Sequence, residues 1–440
     1  MNKSVKMLFY KLLIVLLTIT LHSHALHTYP EATNVSNSSY FPFKGDIFTG
    51  FIPVNNTSGS NIFYSLYGFN NGSINQSAPL IIWLAGGPGC DSVFGPFARF
   101  GPISVGSKDK NYTLSPRHLT WNTLGHLLTL DQPIGTGFSN AFGGEAVKTT
   151  DQAAEHFQAF MVRFYQLFPN LIGNDLYIVG VSYAGHFIPA FAHKLLSNTS
   201  NSYIKLKGVV IGAPWTDGLR QVSTEGDFYY VGSIANQKIR DYMHRMEITA
   251  VQAILSGDYE YASYLADYKG EYIRQLTLAS DDSYRKSAND PENPDDGTNE
   301  WLNLTSTQKM LGIPYKVDYG DCSKDVYSNM MADMTISYID RLPLLLQNIK
   351  VLVFACQDDT AVQYSGVVDF LKFVEWDGMR DIEVQPKKVW NVNGKVAGFY
   401  KSNLNYTYLT VIDSGHMAPG DQPEPMYDLL NRFINTIPFN

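Results

Sequence analysis

Cysteine is scarce in this chain, at three in 440 residues, and basic clusters are absent beyond the extreme N-terminus. Three thiols, Cys90, Cys322 and Cys356, allow one disulfide and one free cysteine, and they exclude a disulfide scaffold. A net charge of −8 without a Lys/Arg-rich run is a poor footprint for nucleic acid, so that partner class is set aside. No H-E-x-x-H pair, Walker loop or Cys/His cluster occurs, and therefore neither a metal nor another cofactor is expected. After the N-terminus no segment supplies the ~18 uncharged apolar residues of a membrane span. Apolar residues themselves are plentiful: at 45% hydrophobic and 13% aromatic, with 35 Gly and 21 Pro, the chain is neither disordered nor collagen-like. The length fits two or three average domains, or one α/β core carrying insertions.

The first 25 residues read as an address label. Lys3, Lys6 and Lys11 precede an apolar run from Leu12 to Leu21, and Ser23-His24-Ala25 supplies small residues at the cleavage positions. Positive, apolar, small is the order of a secretory signal peptide. Sequons at Asn34, Asn37, Asn55, Asn56, Asn71, Asn75, Asn111, Asn198, Asn303 and Asn405 agree with a lumenal route. The mature chain from residue 26 is expected outside the cell or in a lysosomal or vacuolar lumen, with no membrane contact.

Along residues 26–440 short apolar runs alternate with helical patterns, the signature of a mostly parallel sheet covered by helices. The clearest strand candidates are Leu80–Leu84, His126–Leu130, Leu176–Val179, Val209–Gly212, Val351–Ala355 and Tyr408–Ile412. Ala153, Phe157, Phe160, Met161, Phe164 and Phe168 recur at steps of three and four, which marks one core-facing helix face closed by Pro169. The rhythm breaks from about 220 to 333, a Tyr- and Met-rich stretch with helical segments at Gln237–Leu255 and Tyr259–Leu278. A largely helical insertion of this kind commonly caps a hydrolase site. Within it, the polar run Ser280–Glu300 is expected to be an exposed, flexible loop.

Chemistry gathers at strand ends. The strand LYIVG runs into Val181-Ser182-Tyr183-Ala184-Gly185 and a helix-prone segment, the setting of a nucleophile elbow, although Ala184 stands where G-x-S-x-G has its second glycine. An ordinary strand–helix serine would look the same locally. A serine hydroxyl needs a base and an orienting acid, and in a hydrolase sheet these follow in the order Ser, Asp, His. Asp358 and Asp359 stand just beyond the strand KVLVFAC, and His416 lies in a Gly-bounded turn after the last strand, with Asp413 as a rival acid close by. The run WLAGGPGCDS offers Gly86-Gly87, whose backbone can approach a substrate; the N–H groups of Gly87 and Tyr183 are candidate oxyanion donors.

Taken together, WLAGGPGCDS, LDQPIGTGFS, LYIVGVSYAGHFIP, LKGVVIG, VLVFACQDD and DSGHMAPGDQP resemble, in order, the serine carboxypeptidases of the α/β-hydrolase fold. The resemblance runs from about Tyr40 to the C-terminus. It implies Ser182 as nucleophile, His416 as base, Asp359 as its partner, Gly87 and Tyr183 as the oxyanion hole, Trp83 and Gly86 as substrate-binding positions, and a Cys90–Cys322 disulfide that leaves Cys356 reduced. The departures concern the substrate. The family reads W-L-N-G-G-P-G and G-E-S-Y-A-G, and its Asn and protonated Glu hydrogen-bond the substrate's terminal carboxylate; here Ala85 and Val181 occupy those positions. Cys356 and Gln357 likewise replace a glycine and an acid ahead of Asp359. The expected activity is that of a serine hydrolase cleaving C-terminal peptide bonds, with esters or acyl transfer as the alternative and a non-catalytic lumenal binding role as the remaining one.

Overall fold

All six expected strands form, and they are the parallel heart of one sheet. The computed structural model describes residues 29–36, 41–42, 44–280, 282–286, 297–320 and 322–439, so the signal-like segment, the sequon at Asn37 and positions 287–296 of the polar run lie outside the described residues. The strands in chain order are β1 (Thr33–Asn34), β2 (Ile47–Pro53), β3 (Asn61–Tyr67), β4 (Leu80–Leu84), β5 (Ile103–Lys108), β6 (Asn111–Pro116), β7 (His126–Asp131), β8 (Asp175–Val181), β9 (Lys205–Gly212), β10 (Lys350–Cys356), β11 (Lys388–Val392), β12 (Lys395–Asn403) and β13 (Tyr406–Val411). Eleven of them make a sheet ordered β1-β2-β3-β7-β4-β8-β9-β10-β13-β12-β11, while β5 and β6 form a separate hairpin. Strands β7, β4, β8, β9, β10 and β13 pair in parallel. Antiparallel β1–β3 and β11–β12 extend the two edges.

The parallel strands read as unbroken apolar runs because both faces are buried. In β10, Val351, Val353 and Ala355 enter the core on one face, and Leu352, Phe354 and Cys356 enter the core on the other. The expected helix face is α1 (Thr150–Leu167), opened by the Thr149 side chain, which accepts the Gln152 N–H. Phe157, Phe160, Met161 and Phe164 on it are no more than 1% exposed. Each such aromatic contributes ~2 kcal/mol by leaving water.

Between β9 and β10 the chain carries a strand-free stretch among the described residues. After α2 (Ala184–Ser197), which follows β8, its principal helices are α3 (Glu225–Val231), α4 (Gln237–Ser256) and α5 (Tyr259–Thr277). These three are joined by a charge cluster: Lys269 donates to the Val222 carbonyl at 2.6 Å and lies 3.2 Å from Glu225 and 3.5 Å from Glu247. Buried charges are tolerated only when partnered in this way. The Asn303 amide nitrogen donates to the Asn299 and Tyr319 carbonyls at 3.0 and 2.6 Å.

No helix among the described residues is long and apolar enough to cross a membrane. The expectation of a flexible polar loop is corrected in part: residues 280 and 282–286 are tied by hydrogen bonds to the turns after β10 and β13, and Ser283 is 3% exposed. Polar composition misled here because these residues satisfy the backbone of another segment rather than water.

Candidate active site

Ser182 follows β8 with φ 64°, a left-handed conformation that costs a serine ~1–2 kcal/mol. Its backbone is held from three sides. The N–H donates to the Gly212 carbonyl at 3.0 Å, and the carbonyl accepts from Gly185 at 2.8 Å and from Trp215 at 3.0 Å. The turn needs its small residues: a Cβ on Gly180 would lie 2.5 Å from the Leu84 carbonyl oxygen and 2.7 Å from the Ala184 Cβ. Tyr183 then caps α2, its ring stacked on His186 at 4.4 Å and its hydroxyl donating to Asp333 at 2.7 Å.

The loop after β4 closes over this elbow. A Cβ on Gly86 would come within 2.6 Å of both the Ser182 Cβ and the Tyr183 nitrogen, so only glycine permits the approach. Gly87 has φ 105°, again a glycine conformation. Neither the Gly87 nor the Tyr183 N–H has an acceptor among the described residues. The loop is secured in turn: the Ala85 N–H donates to Ser92 Oγ at 3.0 Å, and the buried Asp131 carboxylate accepts the Ser92 and Val93 N–H groups at 2.9 and 3.1 Å. Burial pushes the Asp131 carboxyl up to about 6. Trp83 is 1% exposed, its ring packed against Phe100 and Trp121. It is buried directly behind the loop that carries Ala85 and Gly86.

The three rival carboxylates are sorted by their partners. His416 Nδ1 lies 2.9 Å from Asp359 Oδ2, while Asp359 Oδ1 accepts the Ala361 and Val362 N–H groups at 2.9 and 2.8 Å. Asp359 is fully buried, and that burial raises its carboxyl above the ordinary range against the opposing pull of His416 and the two amides. Arg285 meets both of the others, Asp358 at 2.9 Å and Asp413 at 2.6 Å. A fourth carboxylate that sequence reasoning passed over, Asp282, accepts the Met417 N–H at 2.8 Å, and its carbonyl accepts the His416 N–H at 2.8 Å. Nothing in its sequence context marks it out. Asp131 lies within the run LDQPIGTGFS, but sequence reasoning gave it no role either.

Every part of this constellation is touched by the helical stretch between β9 and β10. The Cys90–Cys322 disulfide joins it to the loop after β4, Asp333 holds the Tyr183 hydroxyl, and Asp282 and Arg285 hold the turns after β13 and β10. Cys356 is the buried free thiol, its ionisation pushed far up by desolvation. Among the described residues no group of side chains could hold a metal. A depression of about 560 Å3 lined by Glu31, Val54, Glu155 and Arg163 lies between β2 and α1 and includes none of the residues above.

A sequence profile described as serine carboxypeptidase matches residues 38–436. A probable serine carboxypeptidase of Dictyostelium discoideum is 34% identical over 403 residues, covering 89% of this chain and 79% of the relative. A venom serine carboxypeptidase of Apis mellifera is 31% identical, covering 88% of this chain and 84% of the relative. In three dimensions the chain is similar to a prohormone-processing carboxypeptidase from Saccharomyces cerevisiae, with a TM-score of 0.78 at 22% identity, over 90% of this chain and 93% of that one.

Proposed function

The chain belongs to the serine carboxypeptidase family and is a hydrolase of that family, and from this premise we propose how it works and on what. Ser182 attacks an acyl carbonyl, and His416 takes the hydroxyl proton at Nε2 while Nδ1–H is donated to Asp359. The negative oxygen of the tetrahedral intermediate lies against the Gly87 and Tyr183 N–H groups. His416 then returns its proton to the leaving amine or alcohol, and water releases the acyl group by the reverse sequence. The observations that carry this reading are the 2.9 Å His416–Asp359 contact and a serine held at φ 64° at the end of β8.

Substrate choice departs from the family pattern. Val181 is 3% exposed in an apolar cluster, and Ala85 offers only a methyl group, so neither can hydrogen-bond a terminal carboxylate. Two such bonds are worth ~3–6 kcal/mol, or ~10²–10⁴ in preference for a free acid. The enzyme accordingly accepts blocked C-termini and esters about as well as free peptides. The signal-like N-terminus and the disulfide favour action outside the cell or in a vacuolar or lysosomal lumen. Fluorophosphonate labelling with a Ser182→Ala control, followed by kcat/KM on matched free, amidated and esterified substrates, tests both parts. Equal labelling of wild type and variant removes the nucleophile assignment, and a strong free-acid preference removes the substrate reading.

A further inference from the structure

We propose that Asp282 is a positioning residue for the base, gripping the turn that carries His416 through its carbonyl and its carboxylate at once. The proposal deepens the reading above and rests on its assignment of His416. Three successive amides of the turn are engaged by this arrangement. The His416 N–H donates to the Asp282 carbonyl and the Met417 N–H to Asp282 Oδ1, each at 2.8 Å. The Gly415 N–H donates to Asp421 Oδ2 at 2.8 Å. Lys286 closes the loop, 2.6 Å from Asp282 Oδ2 and 2.8 Å from Asp421 Oδ1. Contact is tight enough that a Cβ on Gly415 would lie 2.6 Å from the Asp282 carbonyl oxygen.

The same segment grips the acid. Ser283 forms a β-bridge with Asp359, the Tyr284 N–H donates to the Asp358 carbonyl at 3.2 Å, and Thr360 Oγ1 donates to the Ser280 carbonyl at 2.8 Å. One short stretch therefore sets the relative position of two turns that come from different strands. An error of about 1 Å in such a relation can cost ~10²-fold in rate.

Charge gives a readout that mere support would not. Around the imidazole stand Asp359 on Nδ1, Asp282 and Lys286 from the insertion, and Asp421 from its own turn. Asp358 and Asp413 share the single positive charge of Arg285, and the Tyr284 hydroxyl and Cys356 thiol have ionisations raised by burial, so those two stay neutral. Removing the Asp282 charge makes the imidazolium less stable and moves the acid limb of the rate profile to lower pH. Removing the Lys286 charge moves it to higher pH.

The experiment uses the full chain and the pH dependence of Ser182 phosphonylation by a fluorophosphonate, alongside kcat and KM on an ester. Asp282→Ala should lower the plateau ~10–100-fold with KM within about threefold of wild type. Asp282→Asn retains an acceptor for Met417; its plateau should stay within about threefold while its midpoint falls by ~0.5 unit, and Lys286→Met should raise the midpoint by a similar amount. An unchanged Asp282→Ala plateau, or midpoints in both Asp282→Asn and Lys286→Met that superimpose on wild type, overturns the proposal. Failure of the wild type to label overturns the triad assignment instead, so the two failures are told apart.

Discussion

Reinstating the missing pair, Ala85→Asn with Val181→Glu, is the sharpest perturbation this site allows. Val181 lies 3% exposed in the apolar cluster that contains Trp83, Val179 and Cys356. A glutamate there forfeits ~1.5 kcal/mol of valine burial and buries a carboxyl group at a further ~1–3 kcal/mol, so Val181→Glu alone should cost ~2.5–4.5 kcal/mol of stability. Desolvation raises that carboxyl above its unfolded value. The linkage follows from the sign: the variant's deficit is smallest in acid, where both states are protonated, and grows as pH rises through the raised value, where folding must hold a proton the unfolded chain has released. Ala85 is partly exposed and its N–H is already given to Ser92, so an asparagine side chain there can reach the carboxyl without disturbing the loop. The double variant should regain ~1 kcal/mol over Val181→Glu and prefer free-acid over amidated peptides by ~10²–10⁴ below the raised value, losing that preference above it. Wild type should instead show kcat/KM rising through one step, set by the base, and staying flat into mild alkali. Thermal melts and pH–rate profiles on matched substrates decide it. A wild-type optimum below about pH 5.5 with strong free-acid preference would refute the reasoning, because another side chain would then hold the carboxylate.

Asp359→Asn should lower kcat ~10⁴-fold, since an amide facing Nδ1 forces the wrong imidazole tautomer, whereas Asp358→Asn should stay within tenfold; the reverse result in ester turnover would misplace the acid by one residue. The buried Asp131, raised to about 6, should make wild type gain stability over Asp131→Asn as pH falls from about 6 towards 4, by ~1.4 kcal/mol per unit in urea titrations; a flat difference curve would contradict it. Cys322→Ser opens a 232-residue loop and should cost ~5 kcal/mol in the chain-entropy account, while Cys356 should resist maleimide until the chain unfolds. Non-reducing peptide maps that pair Cys356 would disprove the second part.

The parallel heart of the sheet was legible because a strand buried on both faces must be apolar throughout, and that shows in any window of five residues. Strands at the edges did not stand out: β2 is broken by Gly50 and Pro53, and β11 exposes Lys388 and Val389, so their pairing depends on neighbours distant in the chain. The order of serine, acid and histidine was also local, since each follows its own strand. Which of Asp358, Asp359 and Asp413 meets His416 followed from the family resemblance rather than from local pattern, and the physical reason lies in the folded chain, which brings Arg285 between the other two. For the same reason the polar run after Ser280 could not be read from composition. Composition records which side chains favour water, but whether a backbone carbonyl such as that of Asp282 meets water or the His416 N–H is decided by two turns more than 75 and 130 residues away along the chain, and thus by tertiary structure alone.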